Sequence, residues 1–293
     1  MDHVLAGFKA GSFLARTLPP PLTALVVRGA GISMSRLQRD QRALVMRHMR
    51  RVLGPAATEK EVHKAVDGAF ESYAAYWLES LRLPSLSAAA VTSGLETEGY
   101  TTYLLDGLKA GKGVILALPH LGGWEWAGRW LADRGHPVTA VVEPLEPPEL
   151  FEWFAQLRSS LGMTVVPLGG GAGATVLRAL QANDIVCLLS DRDIGGGGVP
   201  VTFFGEVTTL PAGPALLSLR TGAPLLPTAV YFTPERDGHH GIVRPPLTIE
   251  RSGRLRDDVG SLTQALASEL ETLIRRAPEQ WHMFQPNWPS DRD

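Results

Sequence analysis

His120 and Glu125 stand five residues apart in ALPHLGGWEWAG (residues 117–128), where an apolar run stops, crosses Gly122 and Gly123, and resumes as WEWAG. On one continuous helix that gap would splay the two side chains, but the glycines permit a tight turn across which an imidazole and a carboxylate can meet. A carboxylate bonded to one ring nitrogen fixes the tautomer and raises the basicity of the other, which is what a general base requires. The same spacing also suits a purely structural pair, with Glu125 at the positive end of a helix dipole beside a buried histidine. Asp191, just after the run IVCLLS, is a second candidate partner for His120.

The elements that must position these residues follow from the hydrophobic pattern. Apolar runs of strand length fall at 114–118, 138–142, 164–168, 185–190, 201–204, 225–232 and 242–249. Helical patterns at 124–134, 147–161, 172–182 and 212–221 separate most of them, with a last helix at 258–276. Upstream, helices are predicted over 35–53 and 59–80, the second with Val62, Val66, Phe70, Tyr73, Trp77 and Leu81 on one apolar face. Strands alternating with helices of this length predict an α/β fold: a single domain with a central, mostly parallel sheet flanked by helices. Ligands of such sheets bind at the carboxyl ends of the strands. His120, Glu143 and the trio Asp191, Arg192 and Asp193 each follow a strand, so three strands deliver ionisable groups to one sheet edge. Arg192 and Asp193 are expected to pair locally and hold their loop. Arg158 reads as either a surface arginine or a clamp for an anion or oxyanion.

A rival motif is GGGAGA. Gly169, Gly171 and Ala174 fit G-x-G-x-x-A between a strand and a helix, and Asp191 follows at about the distance a dinucleotide site uses. The GGGG run at 195–198 reads as a mobile loop, and neither run carries a phosphate-loop lysine. A G-x-S-x-G elbow, H-E-x-x-H and paired C-x-x-C are all absent, which argues against a serine hydrolase or a metal site. The lone Cys187 lies in an apolar run and reads as a buried structural thiol. With neither nucleophile nor metal, a His-carboxylate pair can still activate a hydroxyl that the substrate brings, and the natural reaction is acyl transfer from an activated ester.

A chain of 293 residues, 44% hydrophobic and 20% charged, can bury a large core. The net charge of −2 hides an asymmetry, because residues 1–54 hold nine Lys and Arg against two Asp, and the remainder is correspondingly acidic. This arm mixes its cations with Val4, Leu5, Phe8, Phe13, Leu14 and LTALVV, and so reads as basic and amphipathic. It suits either an anionic membrane surface or ordinary docking on the core. No recognised nucleic-acid fold motif accompanies it, so no nucleic-acid partner is expected. Lacking both a cleavable signal and a membrane-spanning run, the protein is expected to be soluble or peripheral, with residues 1–54 as a membrane-contacting arm and 55–293 as the core.

With these residues in view, the chain resembles the lysophospholipid acyltransferase-like superfamily, whose HX4D/E signature His120 and Glu125 match. It is most similar to the branch of bacterial lipid A late acyltransferases and actinobacterial phosphatidylinositol mannoside acyltransferases. LALPHLGGWEWAG, VVEPLEPPELFEWF, LRSSLGMTVVPL, LLSDRD, VPVTFFGEVTTLPAGPALLSLRTGAPLLP and WHMFQPNW carry the resemblance over about residues 70–288. It implies that His120 is the general base, that Glu125 is the acid of the signature, and that Glu143 and Arg158 line the active site. Asp191 stands where the mannoside enzymes have a glutamate supporting the histidine. Glu replaces Asp at 125 and Asp replaces Glu at 191, which leaves open which carboxylate partners His120. Phe203, Phe204, Thr209 and Pro211 correspond to a segment near the acyl and donor site.

The resemblance further implies a peripheral acyltransferase at the cytoplasmic face of the plasma membrane. It would move a palmitoyl-length chain from acyl-CoA to a mannose 6-hydroxyl of a phosphatidylinositol mannoside, with no cofactor. Arginine outnumbers lysine 23 to 5, which suits an actinobacterial source and the mannoside branch over lipid A. Other possibilities are a different glycolipid or lipid A-like acceptor, an NAD(P)-dependent oxidoreductase built on Gly171 and Asp191, and a non-catalytic lipid-binding protein.

Overall fold

The computed structural model describes residues 2–17 and 20–292. Four helices lead the chain: α1 (Asp2–Thr17), α2 (Pro20–Leu37), α3 (Arg39–Leu53) and α4 (Glu59–Arg82). The helix predicted over 35–53 is broken at Gln38, whose ψ of 66° interrupts the helical path. The run LTALVV belongs to α2. A capping box between Thr58 and Glu61 starts α4, each side chain satisfying an amide that the first turn leaves free.

The body alternates as its pattern predicts, with α5 (Ala88–Ser93), β1 (Leu95–Glu98), α6 (Asp106–Lys109), β2 (Val114–Leu118), α7 (Trp124–Asp133), β3 (Val138–Val142) and α8 (Pro148–Ser160). It continues through β4 (Met163–Pro167), α9 (Ala172–Gln181), β5 (Ile185–Leu189), β6 (Val199–Phe203), β7 (Glu206–Leu210), α10 (Gly213–Thr221), β8 (Leu225–Phe232), β9 (His239–Val243) and α11 (Leu255–Arg276). Seven strands form one sheet in the order β1-β9-β8-β2-β5-β3-β4, parallel except where β8 meets β9. This is a single α/β domain with a mostly parallel central sheet flanked by helices.

The central strands bury both faces. Ile115 and Ala117 of β2 face a core with α9, α10 and α11, while Val114, Leu116 and Leu118 face a second core with α7 and α8. Three details differ from the sequence pattern. The strand expected over 242–249 stops at Val243, because Pro245 and Pro246 lack the N–H a ladder needs. VTFF does not join the main sheet but pairs with β7 in a two-stranded hairpin. Its two-residue turn, Phe204-Gly205, has positive φ at both positions, the type I′ form that suits the strand twist. Finally, β1 is short and largely polar, and escapes a hydrophobic reading.

Helix α3 is tied to the far end of the chain. The buried Asp291 carboxylate accepts from His48 Nε2 at 2.9 Å and Arg51 Nη1 at 2.9 Å, and from the Asn287 and Trp288 amides. Arg42 pairs with Asp67, Arg50 with Glu59, and Arg51 also with Glu206, so part of the arm's positive charge is spent inside the molecule. Among the described residues no helix is long and apolar enough to cross a membrane.

Candidate active site

After Leu118 the chain turns through Pro119, His120, Leu121, Gly122 and Gly123 before α7 begins. Gly122 has φ +56° and presses on β8, where a Cβ would lie 1.9 Å from the Val230 carbonyl oxygen. A Cβ on Gly123 would lie 2.6 Å from Glu79 Oε1 and 2.8 Å from His239 Nε2. The glycines therefore let the turn fold back against β8, which holds His120 at the sheet edge.

Strands β2 and β5 are neighbours with Leu118 opposite Leu189, so the residues just beyond them meet. Asp191 Oδ1 lies 2.6 Å from His120 Nδ1, and Oδ2 accepts the His120 main-chain N–H at 2.9 Å and the Trp281 indole N–H at 2.7 Å. Asn287 Nδ2 donates to the Asp191 carbonyl at 3.0 Å. Burial alone would raise the Asp191 carboxyl, but the His120 charge and these hydrogen bonds outweigh it and hold the group below its ordinary value. An ionised carboxylate only accepts, so His120 Nδ1 carries the proton and Nε2 keeps its lone pair in the neutral ring. Nε2 has no hydrogen-bond partner among the described residues, and the His120 side chain is 28% exposed.

Glu125 is engaged elsewhere and makes neither a hydrogen bond nor an ion pair with His120. Its Oε1 receives Arg158 Nε and Nη2, each at 2.7 Å, and the Tyr76 hydroxyl at 3.3 Å. The first turn of α7 directs this side chain into the core between α4 and α8, where Glu125 is buried. Burial opposes the charge on Arg158, but Glu125 outweighs it and keeps the guanidinium protonated. Burial and then the Glu125 charge push the Tyr76 hydroxyl up. Of the two carboxylates that could partner His120, Asp191 does so and Glu125 neutralises Arg158. Arg158 is thus neither a surface residue nor a free anion clamp, although it borders the site.

Two clefts meet at His120. One, of about 170 Å³, is lined by Tyr73, Tyr76, Trp77, Trp124, Arg158 and His282. The other, of about 470 Å³, is lined by Leu168, Gly169, Val176, Ile194, Pro211 and Leu217, with the glycine loop at 195–198 along its rim. Val142, Glu143, Leu189 and Arg192 belong to both. Tyr73 and Trp77 continue the apolar face of α4 but are only half-buried, because they wall a cleft.

The remaining predicted residues fall in several places. Arg192 does not pair with Asp193; its Nη2 reaches Glu143 across the junction of the clefts. Asp193 accepts from the Gly196 and Gly198 amides and from Thr209 Oγ1, which staples the glycine loop to β7. Phe203 and Phe204 line neither cleft. They are buried against Trp281 and Trp288, behind the indole that holds Asp191, because the hairpin folds its aromatic side onto the C-terminal segment. Gly169 borders the second cleft, but both oxygens of the fully buried Asp191 are committed to His120 and Trp281, so the acid that the glycine motif would use is not free to bind a ribose.

Trp281, His282 and Asn287 went unassigned in the sequence. They lie about ninety residues or more beyond Asp191, and only the closing WHMFQPNW stretch signals them. His282 donates its main-chain N–H to the His120 carbonyl at 2.7 Å, and its Nε2 lies 2.9 Å from Ser72 Oγ. Burial, then the neighbouring His120, bring its pKa down to about 3, so this ring stays neutral.

An α/β sheet presenting a buried carboxylate-histidine pair where two clefts join has the form of a group-transfer enzyme with two substrates. A family model described as bacterial lipid A biosynthesis acyltransferase matches residues 7–290, and the chain belongs to this family of acyltransferases. The phosphatidylinositol mannoside acyltransferase of Mycolicibacterium smegmatis is 39% identical over 290 residues, covering 97% of this chain and 91% of its own length. That of Mycobacterium tuberculosis is 41% identical over 251 residues, covering 84% and 76%. The lipid A biosynthesis acyltransferase of Haemophilus influenzae is 25% identical over 175 residues, covering 58% and 52%.

Proposed function

We propose that this acyltransferase moves a long-chain acyl group, palmitoyl in the first instance, from acyl-CoA to a mannose 6-hydroxyl of a phosphatidylinositol mannoside. The acceptor follows the names of the mycobacterial relatives. The observation that carries the mechanism is the His120–Asp191 pair at the meeting point of two clefts. In this reading His120 Nε2 takes the proton of the hydroxyl as its oxygen attacks the thioester carbon, and Asp191 stabilises the imidazolium that forms. The imidazolium then protonates the departing thiolate. The protein supplies base and orientation, and needs no cofactor beyond the donor.

Exposed Phe13, Leu14, Leu22, Leu25, Val26 and Leu37, with Arg28, Arg36 and Arg39 on the same two helices and the start of α3, support peripheral contact with an anionic membrane on its cytoplasmic face. A lipid A-like acceptor is the second reading, favoured by the family description and the Haemophilus relative.

The test is incubation with radiolabelled palmitoyl-CoA and a panel of phosphatidylinositol mannosides and lipid A precursors. Label should pass to the mannosides, and His120→Ala should abolish its transfer while remaining folded. Label transfer by that variant at the wild-type rate would defeat the mechanism, and transfer to lipid A precursors alone would defeat the acceptor.

A further inference from the structure

A base that activates the acceptor solves half of the reaction, because negative charge must also develop on the acyl carbonyl oxygen and some donor must meet it. The main-chain amides of the catalytic turn are occupied. The His120 N–H goes to Asp191, Leu121 to the Pro119 carbonyl, Gly122 to Gln280 and Gly123 to Val230. Arg158 lines only one of the two clefts, and its charge is neutralised by Glu125, to which Nε and Nη2 point. His282 is neutral and bonded to Ser72.

Arg192 is different. It follows Asp191 directly, so the strand end that orients the base also sets this guanidinium. It lines both clefts where they join, together with His120. Its Nη2 is tethered to Glu143, which fixes the plane of the group. Its Nε–H is buried and has no hydrogen-bond partner among the described residues. A buried guanidinium N–H left without a partner is costly in a resting protein, and in a residue that lines the junction of two clefts a bound group can supply the missing acceptor.

We propose that Arg192, through this unpaired Nε–H, receives the oxyanion of the acyl group during transfer. The proposal rests on the thioester-donor reading above. The acceptor hydroxyl gives its proton to His120 Nε2, its oxygen bonds to the carbonyl carbon, and the C=O π pair moves onto oxygen, where Arg192 Nε–H donates. When the intermediate collapses, the C=O bond re-forms, the C–S bond breaks, and the thiolate takes the proton from His120. Arg192 is therefore a catalytic residue of the second half of the site. Glu143 is its positioning residue, accepting at Nη2 and so leaving Nε for the substrate.

The test measures kcat and KM for palmitoyl-CoA and a phosphatidylinositol mannoside in wild type, Arg192→Ala, Arg192→Lys and Glu143→Gln, with folding checked by circular dichroism. Removing one oxyanion donor lowers kcat about 10²- to 10³-fold, and here both KM values should stay within about threefold. Arg192→Lys should recover little, because an ammonium lacks the planar fork that holds one N–H on Glu143 and another on substrate. It also keeps a charge for Glu143 to pair with, should the alanine variant fail to fold. Glu143→Gln, which still accepts at Nη2, should lose far less than Arg192→Ala. A kcat within about twofold of wild type in Arg192→Lys or Arg192→Ala overturns the proposal alone. So does a rise confined to the acceptor KM, which would make Arg192 a binding group for the acceptor phosphate, or an equal loss in Glu143→Gln, which would make the ion pair the functional unit. If wild type transfers nothing from palmitoyl-CoA, the donor reading falls and the proposal with it.

Discussion

Asp191 grips His120 twice, at the ring Nδ1 at 2.6 Å and at the main-chain N–H at 2.9 Å. One carboxylate thus fixes both the backbone that presents the imidazole and the tautomer that leaves Nε2 basic. Trp281 fixes the carboxylate in turn, so the C-terminal segment helps to hold the His120–Asp191 pair although it lies far away in sequence.

Glu125→Gln should act on stability before chemistry. It removes the carboxylate that neutralises buried Arg158, a loss of about 3–5 kcal/mol when one member of a buried pair is deleted. Denaturant unfolding should show that loss, and Glu125→Gln with Arg158→Met should restore most of it. A shift of the pH-rate profile at unchanged stability would instead make Glu125 a partner of the base.

His282 should shape the pH dependence of stability. Its pKa falls from 6.5 to about 3 on folding, so the unfolded chain binds the extra proton between these values. Its contribution is complete above about pH 6.5 and is lost as the pH falls toward 3, at up to about 1.4 kcal/mol per pH unit. Asp191 and Asp291, both depressed, add their losses only as the pH drops through the ordinary carboxylate range and below. Melting curves of His282→Gln should therefore be flatter between pH 6.5 and about 4.5 than those of wild type, and parallel curves would contradict the assignment.

Asp291→Ala should loosen the join between α3 and the C-terminus. His48, Arg51 and two amides lose a shared acceptor, at a cost of about 3–5 kcal/mol measurable by chemical denaturation. A change under about 1 kcal/mol would show the network to be dispensable.

Phe13→Glu with Leu25→Glu should weaken sedimentation with anionic phospholipid vesicles. These side chains are 69% and 67% exposed, and a carboxylate there both removes apolar area and opposes the lipid charge. Binding should weaken further in high salt, while turnover of detergent-solubilised acceptor stays near wild type. Equal sedimentation of wild type and variant would place the membrane contact elsewhere.

The parallel sheet and the edge that gathers the candidate site residues were legible in the sequence, because strands buried on both faces leave unbroken apolar runs whose ends are easy to place. His120, Glu143 and Asp191 then fall together by topology. The choice between Glu125 and Asp191 was not legible. It depends on the direction in which α7 leaves the turn, which the close approach of Gly122 to Val230 sets, and that approach leaves no periodicity. The resemblance puts the segment of Phe203 and Phe204 near the acyl and donor site, but the hairpin turn sends these two side chains to the aromatic core behind Asp191. Trp281 could not be placed at all, since nothing local shows that the chain end returns to the sheet edge.

The most direct test of the central claim is the turnover of Asp191→Asn, which preserves size while removing the charge that fixes and stabilises the His120 imidazolium. With palmitoyl-CoA as donor, kcat should fall about 10²- to 10⁴-fold while KM for the donor stays within about twofold and the protein remains folded. A folded Asp191→Asn enzyme turning over within about twofold of wild type would contradict the role given to the His120–Asp191 pair.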